Sequence, residues 1–281
     1  MADNQIQTET TSQSPLRKAL HISLLVLMYA FLVLSIFAVI VVLTSQKSRD
    51  GATNVFGHQM RIVVSESMVE AAAIPEAFAT AYLNLFIEGK IKEGNTLLMN
   101  AGASGLASVI IPMAKAFGVR VITTVLTDEI AENIKHLNAD RVVVTTKEDI
   151  SLVLKEELEA GHSVDVAIDC LGGEIMGKCI HYLTHGARWI MIAALAGTKT
   201  EIDLKNIYVR NVRIVGSTLR SRTPAVKAEI LAGIVRDVYP KIEAGLVKPT
   251  IHAVLPIEEA EAAHDILYKG KNVGKVVLTV S

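Results

Sequence analysis

The sequence has few cysteines, no excess of positive charge and no internal repeat. Its two cysteines, Cys170 and Cys179, cannot form a disulfide framework. The formal net charge of −1 argues against a nucleic-acid partner, which would favour a basic surface. His181 and His185 stand four residues apart, as two ligands on one helix face do, but no third ligand lies near them. The sequence therefore predicts no metal site.

One long apolar run stands near the start of the chain, from Ala19 to Thr44, and it contains no Lys, Arg, Asp or Glu. It is long enough to cross a hydrocarbon core of about 30 Å at about 1.5 Å per residue. A cleavable signal peptide would have a shorter apolar core and a clear cleavage site. The run predicts a single-pass membrane protein, with a buried apolar helix as the alternative. Arg17 and Lys18 on one side balance Lys47 and Arg49 on the other, so the orientation stays open.

From Val69 onwards, apolar strand-like runs alternate with amphipathic helical stretches. Runs without polar alternation are typical of strands buried on both faces, and intervening helices imply a parallel, doubly wound α/β sheet. The six predicted strands are 95–100, 119–125, 140–146, 164–170, 188–193 and 212–217. The predicted division of the chain is a disordered tail (1–18), a transmembrane helix (19–44), a linker (45–68), a dinucleotide-binding domain (69–250) and a C-terminal strand–helix–strand (251–281).

The first of these strands leads into a glycine-rich turn and a helix, in the sequence NTLLMNAGASGLASVIIPMAKAFGVR (95–120). Gly102 permits a tight turn, and Gly105 allows phosphates to approach without a Cβ in the way. Ser104 offers a hydroxyl, and Ala107 stands where a third glycine is common. Because a second apolar strand follows, the turn begins a βαβ unit and predicts a dinucleotide site at a helix N-terminus. A tight strand–helix connection without a ligand is the alternative.

Two prolines and the last strand depart from a regular pattern. Pro112 is expected to bend the helix after the glycine turn, and Pro240 to end or kink a helix over 224–244. Thr127 is expected to cap the helix that follows the second strand. The last strand, 275–280, has no place among the six strands and is expected to pair with something else.

Taken together, the residues from Val69 resemble the zeta-crystallin-like quinone oxidoreductases of the medium-chain dehydrogenase/reductase superfamily. The resemblance implies a Rossmann-type sheet, NADPH as cofactor (NADH possible), no catalytic zinc, and hydride transfer to a quinone or a conjugated carbonyl. The matching segments are VEAAAIPEAFATAYLNLF (69–86), EGNTLLMNAGASGLASVIIPMAKAFGVRVI (93–122), VDVAIDCLGG (164–173), GARWIMIAALAG (186–197), STLRSR (217–222) and NVGKVVL (272–278).

The resemblance also implies which residues bind the cofactor, although it assigns no catalytic residue. The expected pyrophosphate residues are Gly102, Ser104, Gly105, Leu106 and Ala107. Thr127 is expected near the adenosine ribose, and Asn272 is expected to approach the nicotinamide from the C-terminal turn. The expected nicotinamide-lining residues are Ala193, Ala194, Leu195 and Ala196. Asp169 and Cys170 end a strand beside the expected groove, where packing and capping are an equal alternative.

The choice between NADPH and NADH stays open. Family members that take NADPH usually offer a Lys after the second strand and a Tyr after the third. This chain has Asp128, Glu129 and Ile130 after the second strand, and Thr145 and Thr146 after the third. Two carboxylates would repel a 2′-phosphate. The family therefore favours NADPH, and these residues favour NADH.

The match to the family begins abruptly at Val69, without the barrel-like N-terminal domain that forms the substrate side of the cleft. An incomplete second domain is therefore expected, because strand 275–280 normally completes that domain. Residues 56–68 resemble the start of a Gram-positive type I signal peptidase, with Ser65 as the former nucleophile, inert because its base is missing. Three hypotheses follow: a membrane-tethered reductase, a membrane-anchored nucleotide-binding module without catalysis, and a fused gene product. A homodimer is also expected to be possible, and cofactor supply favours a cytoplasmic soluble domain.

Overall fold

A computed structural model describes residues 52–53, 59–60, 68–270 and 272–280. The apolar run from Ala19 to Thr44 and the signal-peptidase-like Ser65 both lie outside the described residues. Within the described part, no helix is both long and apolar enough to cross a bilayer. Its longest α-helices have 10 residues each, about 15 Å and half of a hydrocarbon core. This finding contradicts the predicted single-pass membrane localisation, which is corrected for the part of the chain that the structure describes.

Six parallel strands form the central sheet, and all six predicted strands are among them. The strands are β3 (Thr96–Met99), β4 (Arg120–Val125), β5 (Arg141–Val144), β6 (Val166–Asp169), β7 (Arg188–Met191) and β8 (Arg213–Gly216). Their order across the sheet is β5-β4-β3-β6-β7-β8, so the winding direction reverses between β3 and β6. Every residue of β3 and β6 is buried, which explains their continuous apolar sequence. The predicted doubly wound parallel fold is confirmed.

Helices cover both faces of this sheet. The α-helices are α1 (Met68–Ala73), α2 (Pro75–Tyr82), α3 (Ala107–Ala116), α4 (Asp128–Asn133), α5 (Ile150–Glu159), α6 (Ile175–Cys179), α7 (Leu204–Arg210), α8 (Pro224–Gly233), α9 (Tyr239–Glu243) and α10 (Ala260–Tyr268). One apolar cluster joins α2, α3 and α8 to the sheet face that bears Leu97 and Ile168. A second cluster joins α5 and α6 to the opposite face, around Leu98 and Trp189. The two cores hold the strand ends in fixed positions.

Short π and 3-10 segments extend several helices. The π segments are Leu83–Glu88, after α2, and Ile234–Val238, between α8 and α9. The 3-10 segments are Lys135–Leu137, Ile180–Tyr182 and Ile257–Glu259. Pro112 lies inside α3, which continues from Ala107 to Ala116. Pro240 lies at the start of α9, where its missing N–H is not needed.

The C-terminal part forms its own small sheet. Strand β9 (Ile251–Pro256) pairs in parallel with β10 (Lys275–Thr279), and α10 connects them. The last strand therefore lies outside the six-stranded sheet, as predicted, and its partner is β9. A separate unit contains the antiparallel pair of β1 (Ala52–Thr53) and β2 (Gln59–Met60).

Candidate functional site

The glycine-rich turn lies at the carboxyl end of β3, beside the point where the strand order reverses. Ala101 begins the turn in the left-handed region, with φ of 58°. Gly102 is buried, and a Cβ there would lie 2.4 Å from Oγ1 of Thr123 on β4. A larger residue would therefore push the turn away from the sheet. The prediction that Gly102 permits a tight turn agrees with this close approach.

The turn ends in the N-terminus of α3. Ser104 Oγ accepts a hydrogen bond at 3.1 Å from the N–H of Ala107, the first residue of α3, and so ties the turn to the helix. Within the part of the chain that is described, no backbone hydrogen bond uses the N–H of Gly105 or Leu106. These two donors and the positive end of the helix dipole suit an anion.

The C-terminal turn, residues 272–274, passes over Gly105. A Cβ on Gly105 would lie 3.3 Å from the Gly274 carbonyl oxygen and 3.8 Å from Cδ of Lys275. Asn272 donates from Nδ2 to that carbonyl at 3.1 Å. Lys275 Nζ contacts Glu76 Oε2 at 3.2 Å. The structure therefore brings Asn272 and a lysine next to the glycine turn, although they are distant in sequence.

A buried polar network joins the carboxyl ends of β3 and β6 to Trp189 of β7. Asp169, at the end of β6, accepts from Asn100 Nδ2 at 3.2 Å and from Trp189 Nε1 at 3.1 Å. Its Oδ1 also accepts from the backbone N–H groups of Leu171 (2.8 Å) and Gly172 (3.1 Å). All of these contacts are internal to the fold. Of the two interpretations of Asp169, they favour capping of the strand end.

The thiols of Cys170 and Cys179 are both buried. Cys170 follows Asp169, and burial, with the nearby carboxylate of Asp169 as a smaller cause, raises its pKa to about 11. Burial likewise raises the pKa of Cys179 to about 12. Both groups are therefore neutral near pH 7, which makes them poor nucleophiles.

The segment after β4 approaches the segment after β5. Thr127 caps α4 as predicted, since its Oγ1 accepts from the Ile130 N–H at 3.3 Å. Asp128, the first residue of α4, forms an ion pair with Lys147. Lys147 lines a cavity of about 580 Å³ that extends from Thr145 to Ala196. Sequence reasoning missed this lysine, because its pairing with Asp128 spans two loops.

The four residues expected at the nicotinamide are exposed. They follow β7, and Leu195 is 80% exposed. Leu195 N–H donates to the Cys170 carbonyl at 3.1 Å, and Ala196 N–H donates to the Leu171 carbonyl at 2.7 Å. The segment is thus tied to the loop after β6, and Ala196 contributes to the cavity wall. In the described residues, no group of three or more His, Cys, Asp or Glu side chains could hold a metal ion.

The comparisons with known proteins agree with this geometry. A family model described as zinc-binding dehydrogenase matches residues 105–233. Lovastatin diketide synthase lovF of Aspergillus terreus (strain NIH 2624 / FGSC A1156) is 28% identical over 228 residues, which are 79% of this chain and 9% of that protein. The 2-haloacrylate reductase of Burkholderia sp is 27% identical over 205 residues, 71% of this chain and 60% of that protein.

A solved structure shows the same fold. The quinone oxidoreductase of Thermus thermophilus, also solved in complex with NADPH, superimposes with a TM-score of 0.66 and 26% identity. The match covers 79% of this chain and 70% of that chain. The chain spans 9% of the synthase and 60% of the haloacrylate reductase. The strand order and these matches support the assignment of this chain to the medium-chain dehydrogenase/reductase superfamily.

Proposed function

We propose that the chain binds a nicotinamide dinucleotide at the carboxyl edge of its parallel sheet and provides the cofactor half of a reductase. One observation carries the proposal: the glycine-rich turn and the N-terminus of α3 lie where the strand order reverses between β3 and β6. In doubly wound sheets, ligands bind in the crevice at this reversal.

The residues of the turn fit a pyrophosphate. The N–H groups of Gly105 and Leu106 make no backbone hydrogen bond in the described residues, so they are available as donors. Gly102 lets the turn lie against β4, and the Ser104 hydroxyl ties the turn to Ala107 at the start of α3. Lys275 adds a positive charge, since its Cδ lies near Gly105 and Nζ is two bonds further along.

The remaining predicted residues have different places in this proposal. Asn272 holds the C-terminal turn over Gly105 through the Gly274 carbonyl. Thr127 supports the adenosine side as the cap of α4. The cavity of about 580 Å³ between the loops after β5 and β6 offers room on that side. Ala193, Ala194, Leu195 and Ala196 remain the candidates for the nicotinamide side.

The proposed reaction is hydride transfer to a quinone or a conjugated carbonyl, without zinc. The similarity of this chain to a quinone oxidoreductase and to a 2-haloacrylate reductase, each of which it covers in part, supports this reaction. The dinucleotide supplies the hydride, and this chain's residues bind and orient it. NADPH is proposed first because the solved relative binds it. Homodimer formation through the open edge of β10 is part of the proposal.

A second candidate is nucleotide binding without turnover. It is favoured by the exposure of the segment after β7, where Leu195 is 80% exposed. Hydride transfer needs the donor and acceptor to be oriented together with water excluded. A measurement of both cofactor binding and acceptor reduction distinguishes the two candidates.

Gly105→Asp tests the dinucleotide proposal. The change puts a Cβ and a negative charge beside the free N–H groups, so we expect the affinity for NADPH, measured by calorimetric titration of the full chain, to fall at least a hundredfold. Gly105→Ala is the matched control, because it adds the Cβ without the charge and should lose much less. Binding by Gly105→Asp equal to that of the parent chain, with an unchanged circular dichroism spectrum, would refute the pyrophosphate site.

A further inference from the structure

An ion pair crosses the edge of the proposed cofactor site. Asp128, at the start of α4, follows β4, and Lys147 follows β5, the neighbouring strand. Their side chains are 66% and 61% exposed, so both groups remain in contact with water. Lys147 also lines the cavity of about 580 Å³, together with Thr145 and Thr146.

The two groups have opposite preferences for a dinucleotide. In doubly wound folds, an acidic residue beyond the second strand hydrogen-bonds the ribose 2′-hydroxyl, whereas a cation accommodates a 2′-phosphate. Asp128, beyond the second strand, has the residue type for the first role, Lys147, beyond the third, has that for the second, and here they bind each other. Exposed ion pairs are weak, so a doubly charged phosphate can displace a carboxylate from a lysine.

We infer that the Asp128–Lys147 pair sets the cofactor specificity and lets the site accept both dinucleotides. When a 2′-phosphate is present, Lys147 breaks its ion pair with Asp128 and binds that phosphate. When the phosphate is absent, Asp128 binds the 2′-hydroxyl. This inference rests on the proposed dinucleotide function. It modifies the expectation that the acidic residues after β4 favour NADH, because one of them, Asp128, is neutralised by Lys147.

The test is calorimetric titration of the full chain with two probes, 2′,5′-ADP and 5′-AMP, which differ only in the 2′-phosphate. For Lys147→Gln we expect about tenfold weaker binding of 2′,5′-ADP and unchanged binding of 5′-AMP. For Asp128→Asn we expect about tenfold tighter binding of 2′,5′-ADP and slightly weaker binding of 5′-AMP. In the double variant, the gain from Asp128→Asn should shrink, since the lysine that it releases is gone.

Lys269→Gln is the matched control. Lys269 is 65% exposed and also pairs with an aspartate, Asp265, but it is the C-cap of α10, the helix between the two strands of the C-terminal sheet. It should change neither affinity. If Lys147→Gln weakens both probes equally or neither of them, the specificity inference is overturned while the dinucleotide site stands. If the unmodified chain binds neither probe, the proposed function itself fails, and the inference fails with it.

Discussion

At the scale of single residues, Asp169 holds together the strand ends that surround the proposed cofactor site. Its fully buried carboxylate accepts from Asn100 on the β3 side, from Trp189 on β7 and from two backbone N–H groups of its own loop. A charged acceptor with this many donors is well stabilised despite burial. The loop after β6, which forms part of the cavity wall, is therefore held in one conformation.

Asp169→Ala is expected to destabilise the fold by about 3 kcal/mol or more, because it leaves several buried donors without an acceptor. Urea unfolding measures the change. Asp203→Ala is the control: Asp203 is exposed and caps α7 through the Lys205 N–H, so its loss should cost about 1 kcal/mol. Equal losses for the two variants would contradict the central role of Asp169.

The thiols give a prediction that depends on pH. Since the pKa of Cys170 is raised to about 11 and that of Cys179 to about 12, both stay protonated in the folded chain when unfolded thiols, with a pKa of about 8.5, ionise. The unfolded state then binds fewer protons, so stability falls as pH rises above about 8.5. The urea midpoint should drop between about pH 7 and pH 10, and drop less in Cys179→Ala. An identical drop in both chains would contradict this assignment.

The residues that the sequence predicted and those that it missed differ in a physical way. Gly102 was predictable because the glycine-rich pattern of a tight turn is visible in the local sequence, without knowledge of the atoms that the glycine contacts. The contact that makes it necessary, with Thr123 on β4, comes from tertiary packing. The pairing of Asp128 with Lys147 depends on the register of β4 against β5, and no local sequence pattern encodes that register.

At the scale of elements, the two prolines show how position decides the effect of a residue. Pro112 lies in the middle of α3, where it cannot donate to the carbonyl of Ser108, one turn earlier. Pro240 was expected to end or kink its helix. The regular helix α8 ends at Gly233, and the π segment Ile234–Val238 leads into α9, where Pro240 lies in the first turn. A proline in that place has an N–H position that needs no partner.

Pro112→Ala is therefore expected to stabilise the chain by about 1–3 kcal/mol, as it restores a helix hydrogen bond. Pro240→Ala should change the free energy of unfolding by less than about 0.5 kcal/mol. Urea unfolding of both variants gives the comparison. A loss of stability in Pro112→Ala would mean that the packing of the proline ring outweighs the missing hydrogen bond.

Three of the six strands, β3, β4 and β6, were predictable because almost all of their residues are buried. β3 and β6 contain buried residues throughout, so each appears in the sequence as an uninterrupted apolar run. The last strand was also predictable as an element, and so was its exclusion from the main sheet. Its pairing with β9 was not, because β9 and β10 are only partly buried and their pairing is parallel across an intervening helix.

At the scale of the whole molecule, the glycine-rich turn and the C-terminal sheet are in contact. The Gly274 carbonyl lies over Gly105, and the Lys275 N–H donates to the Thr250 carbonyl at 2.8 Å, at the start of β9. Gly105 and Gly274 are about 170 residues apart in the sequence, yet the fold brings them together. The described residues contain no helix that could span a membrane.

The exposure of the segment after β7 leads to the last prediction, which concerns turnover. The full chain should bind NADPH but oxidise it only slowly with a simple quinone. Leu195 is 80% exposed beside the expected nicotinamide position, so in the described residues nothing there excludes water or orients an acceptor. Orientation is worth about 7–11 kcal/mol in well-aligned systems, and much of that is lost when the acceptor is free to diffuse. Stopped-flow absorbance of NADPH with the quinone measures the rate. Gly105→Asp should abolish even the slow reaction if that reaction uses this site, whereas rapid, saturable turnover by the parent chain would show that it holds an acceptor after all.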